Sequence, residues 1–406
     1  MRVRHLNLVD FRNYEVADVD LHPGINVFVG SNGQGKTNLV ESLGYISSLG
    51  SHRVSTDQAL VRQGRDSAIV RALLAHGDRE ILVELQINAS AANKAQVGRS
   101  PAKVRDLPRY LSSVLFAPED LALVRGEPAG RRRMLDQLLV LRTPRLAGVI
   151  SDFDRVLRQR NTLLKTARAT GLKGDRLSTL DIWDERLVEF GSEIIRERLA
   201  LVDDLRGHLQ SAYLAIAGAD HSPRISMQLS IMAADPDADD RGTARVESSL
   251  PLAEISESFR QTLARVRPRE LDRAITLVGP HRDDLLFELN SLPAKGYASH
   301  GESWSFALSM RLAAAELVRE QSAGGDPVLI LDDVFAELDQ PRRERLARAV
   351  AGYEQVLVTA AVEADIPETL RGQVIRIKAG RILDDDPSES AAVAASGESD
   401  GTGNGE

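Results

Sequence analysis

The 406-residue chain is 43% hydrophobic and 27% charged, the composition of an ordinary globular protein with room for one large domain or two to three smaller ones. The absence of cysteine excludes disulfides and thiolate metal sites, and no apolar run approaches the roughly 18 residues of a membrane span. The net charge of −8 is concentrated at one end, because residues 384–406 carry seven acidic and no basic residues, so overall acidity does not argue against a nucleic-acid partner.

Residues 1–125 read as strands and turns. Leu6 with Leu8 and Val19 with Leu21 alternate as strand faces do, and Ile25 to Val29 is a short apolar run. No apolar signal core lies in "MRVRHLNLVDFRNY", so a cytoplasmic location is expected. Directly after Val29 comes Gly30-Ser31-Asn32-Gly33-Gln34-Gly35-Lys36-Thr37, which fits the P-loop pattern in the strand–loop–helix context that the motif requires. Glycines let the backbone N–H groups turn inward on phosphates, and the following helix adds a favourable dipole. Lys36 is placed to neutralise β- and γ-phosphate charge and Thr37 to ligate Mg2+. Ala68 to Ile87 reads as a hairpin turning at Gly77-Asp78, and "SVLFAPEDLALV" as a buried strand followed by a proline-led helix start.

Residues 126–270 read as a helical lobe. Arg131, Arg132 and Arg133 follow Gly130 at a helix start. They read either as phosphate contacts to DNA, which would make affinity salt-dependent, or as a solvated helix end paired with Glu127 and Asp136. Arg155, Arg158 and Arg160 leave the same alternatives open. A long helix, capped by Ser178 or Thr179, is expected from Trp183, Leu187, Phe190, Ile194, Ile195, Leu199, Val202, Leu205, Leu209 and Tyr213 at three- and four-residue steps. The polar stretch "MAADPDADDRGTARVESS" reads as a flexible loop.

Residues 271–383 return to alternating strands and helices, which implies a parallel, helix-covered sheet. "AITLVG" and "LLFEL" are strand-like. Between them, His281-Arg282-Asp283-Asp284 lies in a turn and is either a salt-bridge cluster or a ligand contact. Ser299-His300-Gly301-Glu302 begins an amphipathic helix running to Glu320, either as a plain cap or as a second phosphate-reading helix start, which would complete a nucleotide site in another subunit. "PVLIL" is a buried strand ending in Asp332 and Asp333. Asp332 is placed to hold Mg2+, and Asp333 to orient or deprotonate the attacking water, with Lys36 as its catalytic partner. A helix over "PRRERLARAV" and a buried strand over "QVLVTA" follow, and residues 384–406 form a disordered acidic tail.

Together these segments resemble the ABC-type ATPases. Ser299, Gly301 and Glu302 match their signature motif, Asp332 and Asp333 the Walker-B acids, and Asp339 in Glu337-Leu338-Asp339 the D-loop. Lys36 and Ser299 are 263 positions apart, too far for a transporter subunit, and no sustained heptads mark a long-armed chromosome-structuring protein; these are the rival readings. A small-molecule kinase would have no use for the Ser-His-Gly-Glu helix. "LNLVDFRNY", "LFAPEDLALVRGEPAGRRRMLD", "TLVGPHRDDL", "YASHGESWSFAL" and "LILDDVFAELD" resemble the RecF family of bacterial DNA replication and repair proteins over residues 2–380. The resemblance implies an α/β ABC-type P-loop ATPase head with a mostly helical insertion lobe. It implies slow ATP hydrolysis used as a switch, with ATP and Mg2+ as cofactors, ATP-dependent homodimerisation, and binding to double-stranded DNA and single-strand/double-strand junctions. With RecO and RecR it implies help in loading RecA during recombinational repair and the SOS response. Asp333 replaces the glutamate usual in transporters, Glu302-Ser303-Trp304 stands where this family commonly has Gln-Gln-Arg, and Ala360-Ala361 stands where a switch histidine is expected. The γ-phosphate sensor and the Q-loop glutamine are therefore not carried over.

Overall fold

The computed structural model describes residues 1–54, 56–171, 178–233, 245–322 and 324–383. The acidic tail and most of the expected loop at 232–249 lie outside these residues. Strands β1 (Arg2–Phe11) and β2 (Tyr14–Asp20) precede β3 (Gly24–Val29), which runs into helix α1 (Lys36–Ser48). Then come β4 (Ser67–His76), β5 (Arg79–Asn88), β6 (Lys94–Val97), β7 (Ser100–Ala102) and β8 (Ser113–Phe116). The alternation read in the sequence produces one antiparallel sheet, ordered β2-β1-β4-β5-β6-β7, with the hairpin closing at His76 and Arg79 as expected.

The lobe holds α2 (Leu121–Arg125), α3 (Pro128–Arg142), α4 (Leu146–Thr170), α5 (Ser178–Ala217), β9 (Arg224–Gln228), β10 (Arg245–Val246) and α6 (Leu252–Arg273). The periodic residues from Trp183 to Tyr213 do lie on one 40-residue helix, α5, about 60 Å long at 1.5 Å per residue. The remaining elements are β11 (Asp284–Leu289), β12 (Leu292–Pro293), α7 (Ala294–Tyr297), α8 (His300–Gln321), β13 (Val328–Asp332), α9 (Gln340–Val350), β14 (Gln355–Ala360), β15 (Gln373–Lys378) and β16 (Arg381–Leu383).

The central sheet is ordered β16-β15-β3-β14-β13-β8, so strands from both ends of the chain share it. Every residue of β13 and β14 is buried, as befits parallel strands covered on both faces. Leu39, Val40, Leu43 and Ile46 of α1 join Phe28 and Ile330 in one core between the central and antiparallel sheets. Leu308 and Leu312 of α8 and Leu346 and Val350 of α9 cover the other face.

Three expectations change. First, α8 is not amphipathic. Phe306, Ala307 and Met310 enter the lobe core while Trp304, Leu308 and Leu312 enter the head core, and a helix buried on both sides is apolar nearly all round. Second, "AITLVG" is not a strand. Side chains take its backbone donors instead, with Thr276 N–H donating to Asn161 Oδ1 at 2.8 Å and Leu277 N–H to Glu270 Oε1 at 2.8 Å. Third, β9 pairs with β11, so a four-stranded sheet, β10-β9-β11-β12, crosses the boundary expected at residue 270.

Candidate functional site

In the central sheet β14 lies between β3 and β13, with Val29 opposite Ala360 and Asp332 opposite Thr359. This register brings the ends of three buried strands level, and the carboxyl end of such a sheet is where an α/β fold binds its ligand. Residues almost 300 positions apart therefore meet. Thr37 Oγ1 donates to Asp332 Oδ1 at 2.9 Å, and Thr359 Oγ1 donates to the same oxygen at 2.7 Å. The Lys36 ammonium, 3% exposed, donates to Gly30 O at 2.8 Å and lies 3.9 Å from Asp333 Oδ2.

Glycine at 35 is required twice. Its φ is +117°, and a Cβ there would lie 2.7 Å from Asn13 Nδ2 and 2.9 Å from the Tyr14 hydroxyl. Gly35 is also the N-cap of α1 and supplies no side-chain cap, so the first-turn N–H groups face the loop, open to an anion. Asn13 Nδ2 donates to Gln34 O and Tyr14 Oη to Gly35 O, which ties the P-loop to the β1–β2 turn. On the other side, Gly380 N–H donates to Gln34 O at 2.9 Å.

Burial pushes the Asp332 carboxyl up to about 6, while its bonds from Thr359 and Thr37 pull the other way and Asp333 and Glu119 raise it further. A buried carboxylate surrounded by negative charge calls for a cation. Thr37 and Asp332 offer two hard oxygens, which fits Mg2+, an ion that takes one or two protein oxygens and completes its shell with phosphate and water. No group of three or more His, Asp or Glu among the described residues is arranged to hold a metal alone. Asp333 has a φ of +50°, and its N–H donates to Thr359 Oγ1 at 2.9 Å. This left-handed conformation is tolerated by Asp far better than by most residues, which gives a backbone reason for aspartate here.

The residues expected to form the signature make a second cluster. Ser299 caps α8 in a reciprocal box: its Oγ accepts from Glu302 N–H at 3.2 Å, and Glu302 Oε2 accepts from Ser299 N–H at 2.8 Å. Those bonds hold the Glu302 carboxyl below the usual range. The Arg342 guanidinium lies across Gly301, 2.8 Å from where a Cβ would sit, so only glycine fits without moving it. Arg342 Nε donates to Ser305 Oγ at 3.0 Å, and Arg342 also pairs with Asp339, the N-cap of α9. Asp339, expected as the D-loop residue, and the helix that starts at Ser299 are thus joined through Arg342. Among the described residues, no hydrogen bond or ion pair links Ser299, Gly301 or Glu302 to residues 30–37.

The arginine cluster needs correction. Helix α3 starts at Pro128, so Arg131 to Arg133 lie in its interior rather than at its start. Arg131 is 5% exposed and makes a bidentate pair with Asp284, at 2.7 and 2.9 Å. It also donates to Leu123 O and Gly126 O. A guanidinium satisfied on every edge inside the protein cannot contact DNA. Arg132 is half-buried and donates to Asp283 O at 2.8 Å, whereas Arg133 is exposed. Asp283 accepts from both Ser230 N–H and Ser230 Oγ, and burial raises its carboxyl to about 6. Arg160 is fully buried between Asp184 and Glu270. Of the two readings of His281 to Asp284, the buried charge cluster is what the fold contains.

Sequence reasoning missed Asn13, Tyr14 and Thr359 as supports of the site, and it missed His52, whose Nε2 lies 4.0 Å from Asp332 Oδ2. Asn13 and Tyr14 sit in "DFRNY", a segment noticed only for its resemblance. His52 carries no local signal at all.

Residues 2–379 match the model of the RecF/RecN/SMC N-terminal domain. The DNA replication and repair protein RecF of Clavibacter sepedonicus is 64% identical over 411 residues, covering 99% of each chain. The solved structure of the recombination mediator protein RecF-ATP in the RecFOR pathway is 26% identical, has a TM-score of 0.81, and covers 94% of this chain and 96% of that one. An Smc head bound to the C-winged helix domain of ScpA, at 13% identity and a TM-score of 0.53, covers 96% and 100% and shares the fold.

Proposed function

The chain belongs to the RecF family of DNA replication and repair proteins, and on that premise we propose that it is an ATP-operated DNA clamp of recombinational gap repair. One observation supports the reading: the residues expected for the two halves of an ABC-type nucleotide site form two separate clusters in one chain. Lys36, Thr37, Asp332 and Asp333 converge at the end of the central sheet, while Ser299, Gly301 and Asp339 converge around Arg342 at the start of α8. The N-terminus of α8, where Ser299 and Glu302 cap each other in the single chain, meets the γ-phosphate held by a second copy once that cap gives way. ATP binding therefore closes a homodimer, and hydrolysis opens it.

Within each half-site the chain's own residues bind and orient. The P-loop N–H groups and Lys36 receive the phosphates, Thr37 and Asp332 hold Mg2+, and Asp333 positions the attacking water. Bound Mg2+ offsets phosphate charge during cleavage. Catalysis is weak, because the short Asp333 side chain, held in a left-handed backbone beside Lys36, reaches the water less well than a glutamate. The partners are double-stranded DNA and its single-strand/double-strand junctions, together with RecR and RecO, and the outcome is help in loading RecA. With aromatics at only 4%, base stacking is a poor basis for binding, and recognition of backbone and shape takes its place. Location is cytoplasmic.

Sedimentation of the protein with ATP and Mg2+ tests this reading. A shift from monomer to dimer is expected, with hydrolysis stimulated by DNA. An ATP-bound protein that stays monomeric at every concentration would overturn it.

A further inference from the structure

Ala360 ends β14 and Ala361 follows it, neither with a polar side chain, but a histidine from the turn after α1 reaches the same site. The turn after α1 is held by a buried clamp. Glu41, 2% exposed, accepts both Arg12 Nε at 2.9 Å and Arg12 NH2 at 2.7 Å, and it also accepts the Ser51 hydroxyl. Ser51 Oγ in turn accepts Arg53 N–H at 3.0 Å and Val54 N–H at 3.1 Å. Arg53 is further tied to Asn38 Oδ1 of α1 at 2.8 Å. A bidentate buried pair is a costly way to fix an irregular turn unless the turn carries something that must stay in place.

What it carries is His52, between Ser51 and Arg53. Its side chain is 18% exposed, and its Nε2 is buried with no hydrogen-bond partner. That atom lies 4.0 Å from Asp332 Oδ2, the carboxylate edge turned away from Thr37 and Thr359, which both bond Oδ1. Such a separation is too long for a hydrogen bond and suits two groups that share one small bridging group. A ring nitrogen in this position can donate to or accept from a bridging group.

We propose that His52 is a positioning residue of the nucleotide site, whose Nε2, together with Asp332 Oδ2, orders the outer shell of the Mg2+-bound triphosphate and so distinguishes ATP from ADP. The inference rests on the nucleotide reading given above. It supplies, from the loop after α1, the terminal-phosphate discrimination that β14 lacks.

The test is equilibrium binding of fluorescent ATP and ADP, each with Mg2+ and with EDTA, to wild type, His52→Gln and His52→Phe. Loss of an outer-shell partner costs about tenfold in affinity. His52→Phe is therefore expected to weaken Mg2+-ATP about tenfold and to leave ADP, and ATP in EDTA, within about twofold. His52→Gln, whose amide reaches the Nε2 position, keeps most of the discrimination. Unchanged binding by His52→Phe, or an equal loss for every nucleotide with and without Mg2+, overturns the proposal. If His52→Phe fails to fold, His52→Asn takes its place, because its amide reaches only the Nδ1 position; Asn and Gln variants that behave alike overturn the proposal. Wild type that binds neither nucleotide would instead refute the nucleotide reading itself.

Discussion

Asp332 shows how a functional residue weighs on the fold that holds it. Its carboxyl is buried, bonded by Thr37 and Thr359, and raised to about 6 from an ordinary 3.8. Below both values the proton is bound in folded and unfolded chains alike. Between them the unfolded chain has lost its proton while the folded one holds it, so stability falls as pH rises through this window and stays lower above it. Asp332→Asn keeps the Oδ1 acceptor and removes the charge. In EDTA without nucleotide it should be more stable than wild type at pH 7, by up to about 3 kcal/mol, with the gap closing toward pH 4. Denaturant unfolding of both proteins across pH 4–7 measures this, and a gap that does not change with pH would contradict the burial argument. The same variant should lose its stabilisation by Mg2+-ATP. The identity of Asp332 could be read from the sequence, because four apolar residues followed by acids are a local signal. Its altered acidity could not, since that comes first from burial in the assembled sheet, opposed by Thr359 and Thr37 and reinforced by Asp333 and Glu119.

The turn from Thr276 to Asp284 is held by side chains from several helices. Asn161 and Arg160 come from α4, Glu270 from α6, and Arg131 and Arg132 from α3. Apolar residues in "AITLVG" read as a strand because buried strands and buried loops share composition. Only the position of Asn161 and Glu270 shows that side chains do the work of a ladder. The arginine triplet separates in the same way. Arg131→Ala leaves Asp284 buried without its partner and should cost about 3–5 kcal/mol in stability. Arg133→Ala, on the exposed face, should stay within about 0.5 kcal/mol of wild type. DNA binding should depend on Arg133 and, per folded molecule, not on Arg131. Unfolding curves and DNA titrations at two salt concentrations test both, and the reverse ranking would restore the surface reading of Arg131.

At the scale of the molecule, the antiparallel and central sheets enclose α1, while α8 lies between head and lobe with α5 packed along it. A helix buried on two sides is positioned rigidly by both, which suits the proposed contact of its N-terminus with a second subunit. If each site is composite, Lys36→Ala and Ser299→Arg are each defective alone for different reasons. The first loses its P-loop half and the second its signature half. A mixture can form a heterodimer with one complete site, so it should recover ATP-dependent dimerisation and part of the hydrolysis that neither variant shows. A mixture as inactive as its components would mean that both halves act within one chain.

The segments proposed to form each end of the site were legible in local sequence patterns. The P-loop, the Asp332-Asp333 pair, the buried strands around them and the long α5 are written in spacing and periodicity over a few to a few dozen residues, and such signals survive without any knowledge of contacts. Tertiary structure alone decided which of these segments meet. It carried His52 to Asp332, placed Arg342 across Gly301, hid Arg131 behind Asp284 and kept the signature apart from the P-loop. Each of these follows from strand order and helix packing between residues far apart in the chain. No local pattern encodes such contacts, because burial and partnership belong to the assembled layers rather than to the residues that form them.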